Sequence, residues 1–390
     1  MPDTLIRDAR VVFPGRTMTA GSVLVSDGRI AAIDPPADQL SADVACVNAR
    51  SRLLTPGLID IHTHGIGHHQ YGASPEALRA GLEQVATFGT TCVLPTVVPM
   101  LGPGLLRQLE DLSAAARAGA VCVPGLHIEG PFVGIPGAAC PTVPGDVGLL
   151  EEMIAACGGR VAAMSLSPET PGVLPVIERL VEHRIVPFVT HTRATPEQTE
   201  AAIAAGARHA THFYDVFPVP PETEPGARPV GAVEVFLGDR RTTVDFICDG
   251  CHVHPAAIRA AVAAKGWAGV ALITDSNIGA GLPPGEYDTP WGYRVRVRPD
   301  DGARIASPEH PLHGQLAGSA LTMNAGIANL IRWLDLSPAE IWAMGTLTPA
   351  RIIGLSNKGA IEPGADADLV LWEDDMQAAI TWVGGKMVSG

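Results

Sequence analysis

Basic residues are scarce in this chain. The 390 residues hold 27 lysines and arginines against 41 aspartates and glutamates, a formal net charge of −14. A surface of that sign repels polyanions, which excludes nucleic acid and anionic membranes as expected partners. Long apolar runs are lacking too, and no stretch reaches the roughly 20 uninterrupted apolar residues that a membrane span requires. Met1-Pro2-Asp3-Thr4-Leu5 shows no basic start leading into an apolar segment, so no signal peptide is expected. Cysteine offers no disulfide framework. The seven, at 46, 92, 122, 140, 157, 248 and 251, are odd in number, scattered, and set mostly in apolar stretches. They read as small buried hydrophobes in a reduced, cytoplasmic protein. Cys248 and Cys251 have two-residue spacing, but no second such pair exists to complete a structural zinc site.

What is present is a large apolar fraction, 46 %, enough for a globular fold of one barrel with an addition or of two domains. Residues 4–50 alternate short β-branched runs with turns, as in Val23-Leu24-Val25, then Ser26-Asp27-Gly28-Arg29, then Ile30-Ala31-Ala32-Ile33. Leu369-Val370-Leu371-Trp372 and Ile380-Thr381-Trp382-Val383 repeat the pattern at the far end. Between them, strand-like runs at 91–96, 121–128, 185–190, 243–247 and 270–274 alternate with alanine-rich, helix-like stretches at 75–88, 196–206, 255–265 and 318–334. Repeated strand–helix units predict a parallel sheet, and about 300 intervening residues favour its closed form. The expected fold is α/β: a (β/α)8 TIM-like barrel over 54–360, with a small β-sandwich domain from 1–53 and 361–390. Active sites of such barrels lie at the C-terminal strand ends, so chemically capable residues should gather there.

They do gather there in the sequence. Leu58-Ile59-Asp60-Ile61-His62-Thr63-His64 reads as a buried strand whose residues two apart share a face, so His62 and His64 point the same way. Glu129 ends the 121–128 run, His191 follows 185–190, His212 stands in Ala210-Thr211-His212, and Asp275 follows 270–274. Imidazoles and carboxylates suit Zn²⁺, Mn²⁺ or Fe²⁺ without thiolates. Glu129, with two oxygens, can bridge two ions, one on His62 and His64 and the other on His191 and His212. Asp275 is then the general acid/base. His68 and His69 read as solvated loop histidines, Glu286-Tyr287 as part of a Gly/Pro-rich loop, and the six tryptophans as core or interface.

Several of these segments together resemble the N-acetylglucosamine-6-phosphate deacetylase family of the amidohydrolase superfamily. They are Pro56-Gly57-Leu58-Ile59-Asp60-Ile61-His62-Thr63-His64-Gly65, the His127-Ile128-Glu129-Gly130-Pro131-Phe132 box, His191-Thr192-Arg193, Ala210-Thr211-His212, Asp249-Gly250-Cys251-His252, Thr274-Asp275 and Leu316-Ala317-Gly318-Ser319. The resemblance spans nearly the whole chain. It implies the barrel and the two-terminus β domain, metal ligation by Glu129, His191 and His212, Asp275 as acid/base, His252 as a substrate contact, and a homodimer. The segments that would meet the family's phosphate differ. Phe213-Tyr214-Asp215 replaces Phe-Asn-Ala, Thr223 takes the place of an arginine, and Arg228 stands nearby. An added carboxylate and a missing cation weaken a phosphate site. Tyr214, Asp215 and Arg228 are therefore candidate substrate contacts. The expected activity is metal-dependent removal of an acyl group, acetyl above all, from an N-acyl amino sugar or related N-acyl amine without a 6-phosphate. Cyclic-amide hydrolysis or deamination is the alternative chemistry, and a non-catalytic barrel scaffold the alternative of another kind.

Overall fold

The computed structural model describes residues 3–40, 43–137, 140–222, 224–299 and 301–390. Eight parallel strands form a ring: β1 (Leu58–Thr63), β2 (Thr90–Val97), β3 (Leu126–Glu129), β4 (Val161–Leu166), β5 (Val186–Val189), β6 (His209–Ala210), β7 (Thr243–Ile247) and β8 (Val270–Ile273). Each pairs in parallel with the next. Backbone bonds from Asp275 N to His62 O (2.9 Å) and from His64 N to Ser276 O (2.8 Å) tie the segment after β8 to β1. The expected (β/α)8 fold is what the chain adopts. Interior residues such as Ile59, Leu94, Ala163, Phe188, Ile247 and Ile273 pack on one another across the ring. A larger cluster fills the layer between strands and helices.

Helix boundaries follow capping chemistry. The helix Pro75–Ala86 starts where Ser74 accepts from Ala77 N and proline takes the first turn, and its Leu78, Leu82 and Val85 face the barrel. Pro196–Ala205 opens on a Thr195/Gln198 capping box. Of the helix-like stretches, 75–88, 196–206, 255–265 and 318–334 correspond to Pro75–Ala86, Pro196–Ala205, Pro255–Lys265 and Met323–Trp333. Sequence reading passed over Leu105–Ala115, Val147–Ala156 and Val173–Glu182. It also passed over β4 and the two-residue β6, which is too short for a periodic signal.

Both termini build a second sheet in the order Lys386–Ser389, Ala378–Val383, Leu369–Trp372, Leu53–Pro56, Thr4–Phe13, Thr17–Ser26, Arg29–Ile33. Ala45–Asn48 pairs with Thr4–Phe13 beside it. Ile6, Val11, Val23, Ile30, Leu54, Leu369 and Trp382 supply its core. Leu53–Pro56 leads directly into β1. The Gly/Pro-rich stretch after β8, read as loop, forms a three-stranded antiparallel sheet of Gly285–Asp288, Arg294–Arg298 and Gly302–Ile305. Its own core includes Ile278, Tyr293, Val295 and Ile305. The glycines and prolines there serve turns between strands that alternate buried and exposed. Among the described residues no helix is long and apolar enough to cross a membrane.

Candidate metal centre

Five strands deliver the donor atoms to one point. His62 lies within β1 and His64 just beyond it, Glu129 ends β3, and His191, His212 and Asp275 each stand two residues past β5, β6 and β8. The last three have left-handed backbone, with φ of 48, 35 and 46°. That conformation is costly outside glycine and asparagine, and here it turns each side chain over the barrel mouth. Glu129 is the hub. Its Oε2 is 3.2 Å from His64 Nε2, and its Oε1 is 3.2 Å from His212 Nε2, 3.4 Å from His191 Nε2 and 3.7 Å from His62 Nε2. Asp275 Oδ1 lies 3.3 Å from His64 Nε2 and 3.5 Å from His62 Nε2. Two donor sets share Glu129: His62, His64 and Glu129, and Glu129, His191 and His212, with the atoms of each set within 4.8 Å of one another. All five residues are buried.

Buried imidazoles without partners are costly, so the way these rings are held tests the fit to a metal. Thr211 Oγ1 lies 3.1 Å from His62 Nδ1 and 3.0 Å from Asp245 Oδ2. A hydroxyl has one proton, and the carboxylate takes it, so His62 Nδ1–H donates to the hydroxyl oxygen. His62 Nε2 is then the ring atom left facing the centre, and it is buried with no hydrogen-bond partner among the described residues. His191 Nδ1 donates to Ile135 O at 3.1 Å, which frees its Nε2 in the same way. Such rear hydrogen bonds fix the tautomer that a metal ion needs. The donor set suits a divalent cation of the zinc, manganese or iron kind. If Thr211→Val removes the rear partner of His62, metal affinity should fall by about 10- to 100-fold with the fold intact. Competition with a chromophoric chelator would measure it, and unchanged affinity would count against this role.

Asp245 is a second anchor. It is fully buried, and it accepts from His209 Nε2 (2.7 Å), Thr211 Oγ1 and His212 N (2.6 Å). Asp60 accepts from Thr274 Oγ1 at 2.6 Å and ties β1 to β8. His127 is held between Ile61 O and Ser165 Oγ with its ring edge-on to His62. Sequence reading missed these residues, although polar side chains inside apolar strand runs were the available signal. Glycine at 137 has a steric reason, since a Cβ there would collide with the His191 ring.

Charge inside the cluster bears on metal uptake. Burial alone would lower the pKa of His64, but Asp275 and Glu129 outweigh it and hold it up, at about 10. His212 is likewise raised to about 9, with burial opposed by Glu129. Both are therefore protonated at neutral pH in the metal-free protein, while a metal ligand must be neutral. Affinity should rise with pH, by up to about tenfold per unit for each proton displaced, and level off above the raised values. Zinc added at pH 7 in weak buffer should release protons; a pH-independent affinity without release would contradict this account.

The centre opens into a cavity of about 460 Å³ lined by His64, Glu129, His191, His212, Asp215, His252, Asp275 and Trp291, among others. His252 Nδ1 pairs with Asp249 Oδ2 at 2.7 Å. Asp215 faces this cavity, but Tyr214 and Arg228 do not. They line a separate pocket of about 130 Å³, where Arg228 pairs with Glu234 at 3.5 Å and is 85 % exposed. Tyr214, in left-handed backbone, stacks on Phe246 instead. Thr223 lies outside the described residues. Trp291 is half-buried against the small core of Ile278, Tyr293 and Ile305, and it also lines the cavity. His68 is exposed, and neither it nor His69 lines the cavity.

A closed parallel barrel with an imidazole–carboxylate donor set at its C-terminal strand ends is the architecture of a metal-dependent hydrolase, and the chain belongs to the amidohydrolase family, whose model matches residues 53–388. It is thus a hydrolase of non-peptide amide C–N bonds. Within that family its relatives are deacetylases of amino sugar phosphates. The chain is 32 % identical to the N-acetylglucosamine-6-phosphate deacetylase of Vibrio furnissii, over 97 % of this chain and 94 % of that one. It is 31 % identical to the N-acetylgalactosamine-6-phosphate deacetylase of Escherichia coli O157:H7, over 94 % of each. The solved structure of a mutant N-acetyl-D-glucosamine-6-phosphate deacetylase from Mycobacterium smegmatis, in complex with N-acetyl-D-glucosamine-6-phosphate, superposes with a TM-score of 0.87 at 28 % identity and full coverage of both chains.

Proposed function

We propose that the chain is a metal-dependent deacetylase of an N-acetylated amino sugar. The observation that carries this reading is the pair of donor sets joined by Glu129 with Asp275 beside them, in a chain with relatives named as such deacetylases. Bound there, a divalent ion supplies Lewis acidity. Asp275 is pushed up by burial but held well below the usual carboxylate range by His62 and His64, so it is ionised and ready to accept a proton. Its Oδ1 takes the proton of the attacking water and returns it to the nitrogen of the departing amine. His252, fixed by Asp249, and Asp215 line the cavity, where they would face the amine part of the substrate. Zinc as the resident ion, a homodimer and a cytoplasmic setting accompany this reading.

The names of the relatives point to a 6-phosphate on the sugar, and they give no support to the expectation of an unphosphorylated substrate. The cavity lining holds Glu129, Asp215 and Asp275 and, among the described residues, no lysine or arginine. A phosphate would have to find its cations outside that lining. The test is amine release by zinc-loaded protein from N-acetylglucosamine-6-phosphate beside the free sugar. Turnover of either supports deacetylation and their ratio fixes the phosphate preference. Turnover of neither, with hydrolysis of a cyclic amide instead, would replace this reading.

A further inference from the structure

A second chamber adjoins the metal cavity. It measures about 470 Å³ and shares His64, Val98 and Trp291 with the first. The size is that of a small-molecule pocket in its own right, far beyond what the methyl of an acetyl group fills. Among the described residues no aspartate, glutamate, lysine or arginine lines it. Its walls include Pro99, Met100, Leu101, Pro141 and Pro290, with the amides of Gln70 and Gln108 as neutral polar groups. Met100 is 68 % and Leu101 43 % exposed, so large apolar side chains stand unburied beside a catalytic centre, where apolar surface usually awaits a ligand.

Its position assigns its role. The chamber sits over β1 and β2, through His64, Thr96 and Val98. Asp215 and His252 follow β6 and β7. In a ring ordered β1 to β8, β2 and β6 face each other across the mouth, with Glu129 and its imidazoles between. A scissile amide held over the metal donors, its amine part toward Asp215 and His252, must direct its acyl part toward β1 and β2.

We propose that this chamber is an acyl pocket, and that the preferred substrates are N-acyl amino sugars whose acyl group is an uncharged, apolar chain longer than acetyl. The inference rests on the metal-dependent amide hydrolysis of the preceding subsection and departs from it only in the acyl group, which is longer than the acetyl named there. His64, Val98 and Trp291 line both chambers, so the chain would cross beside them. The reaction itself is unchanged: water adds to the acyl carbon, the C–N bond breaks, the amine leaves with the proton from Asp275, and the longer carboxylate departs.

The experiment is a chain-length series, N-acetyl-, N-butyryl- and N-hexanoylglucosamine and their 6-phosphates, with the zinc-loaded full-length protein. The hexanoyl-to-acetyl ratio of kcat/KM should be roughly tenfold or more, as burial of added methylenes implies. A ratio of one or below overturns the proposal while leaving deacetylation standing. Release of no amine from any member overturns both. A second arm fills the chamber. A Cβ at Gly72 meets only Gln108, at 3.9 Å, so Gly72→Leu starts from an open position. It should lower the hexanoyl-to-acetyl ratio at least about fivefold by excluding apolar area, with Ala73→Leu as the second variant. A ratio unmoved in folded variants overturns the assignment.

Discussion

Glu129→Gln should leave a folded protein that retains less than about a tenth of its metal after dialysis and turns over roughly a thousandfold more slowly or worse, since the donor geometry and its charge supply the Lewis acid. The reason is topological. Glu129 is the one residue common to both donor sets, so its loss removes a ligand from each. A glutamine keeps the shape but brings one oxygen and no charge to a place where four imidazoles converge. His212 would then lack the carboxylate that raises it, and His64 would keep only Asp275. Metal analysis and kcat/KM on the same sample would settle it; wild-type metal content would show that the imidazoles alone hold the ions.

Asp275→Asn should separate chemistry from binding. Asp275 belongs to neither donor set, and its place in the fold depends on main-chain bonds, Asp275 N to His62 O and Ser319 N to Asp275 O. Asparagine also tolerates the left-handed backbone found there. Metal content should therefore stay near that of the wild type, while kcat falls by about 10² to 10⁴, the range for loss of a general acid/base. KM should move little. A loss of metal equal to the loss of rate would instead make Asp275 a ligand.

Much of this centre could be read from the sequence because strand ends advertise themselves. A β-branched run followed by histidine or aspartate places the side chain at a barrel mouth without coordinates, and His62, His64, Glu129, His191, His212 and Asp275 converge as that logic requires. The supporting residues were harder to see. Thr211 and Asp245 act only through the spatial meeting of β6, β7 and β1, which no periodicity encodes. Tyr214 lines another pocket than Asp215, since neighbours in sequence need not share a direction once the backbone turns left-handed. The sheet 285–305 was hidden by its turns, since glycine and proline dominate a short hairpin's composition. The two-chamber mouth depends on Val98 and Trp291, nearly two hundred residues apart in the chain.

The seam between β1 and the segment after β8 orders events during synthesis. His62 leaves the ribosome more than two hundred residues before Asp275, yet the two are bonded through main chain and face each other in the centre. Until the last barrel strand has emerged, His62 and His64 have no Asp275 to meet and the ring has no closure. The nascent chain therefore holds histidines without a finished centre. All the metal donors precede Asp275 in the chain, so the capacity to hold an ion can arise before the capacity to use it, and catalysis waits for β8.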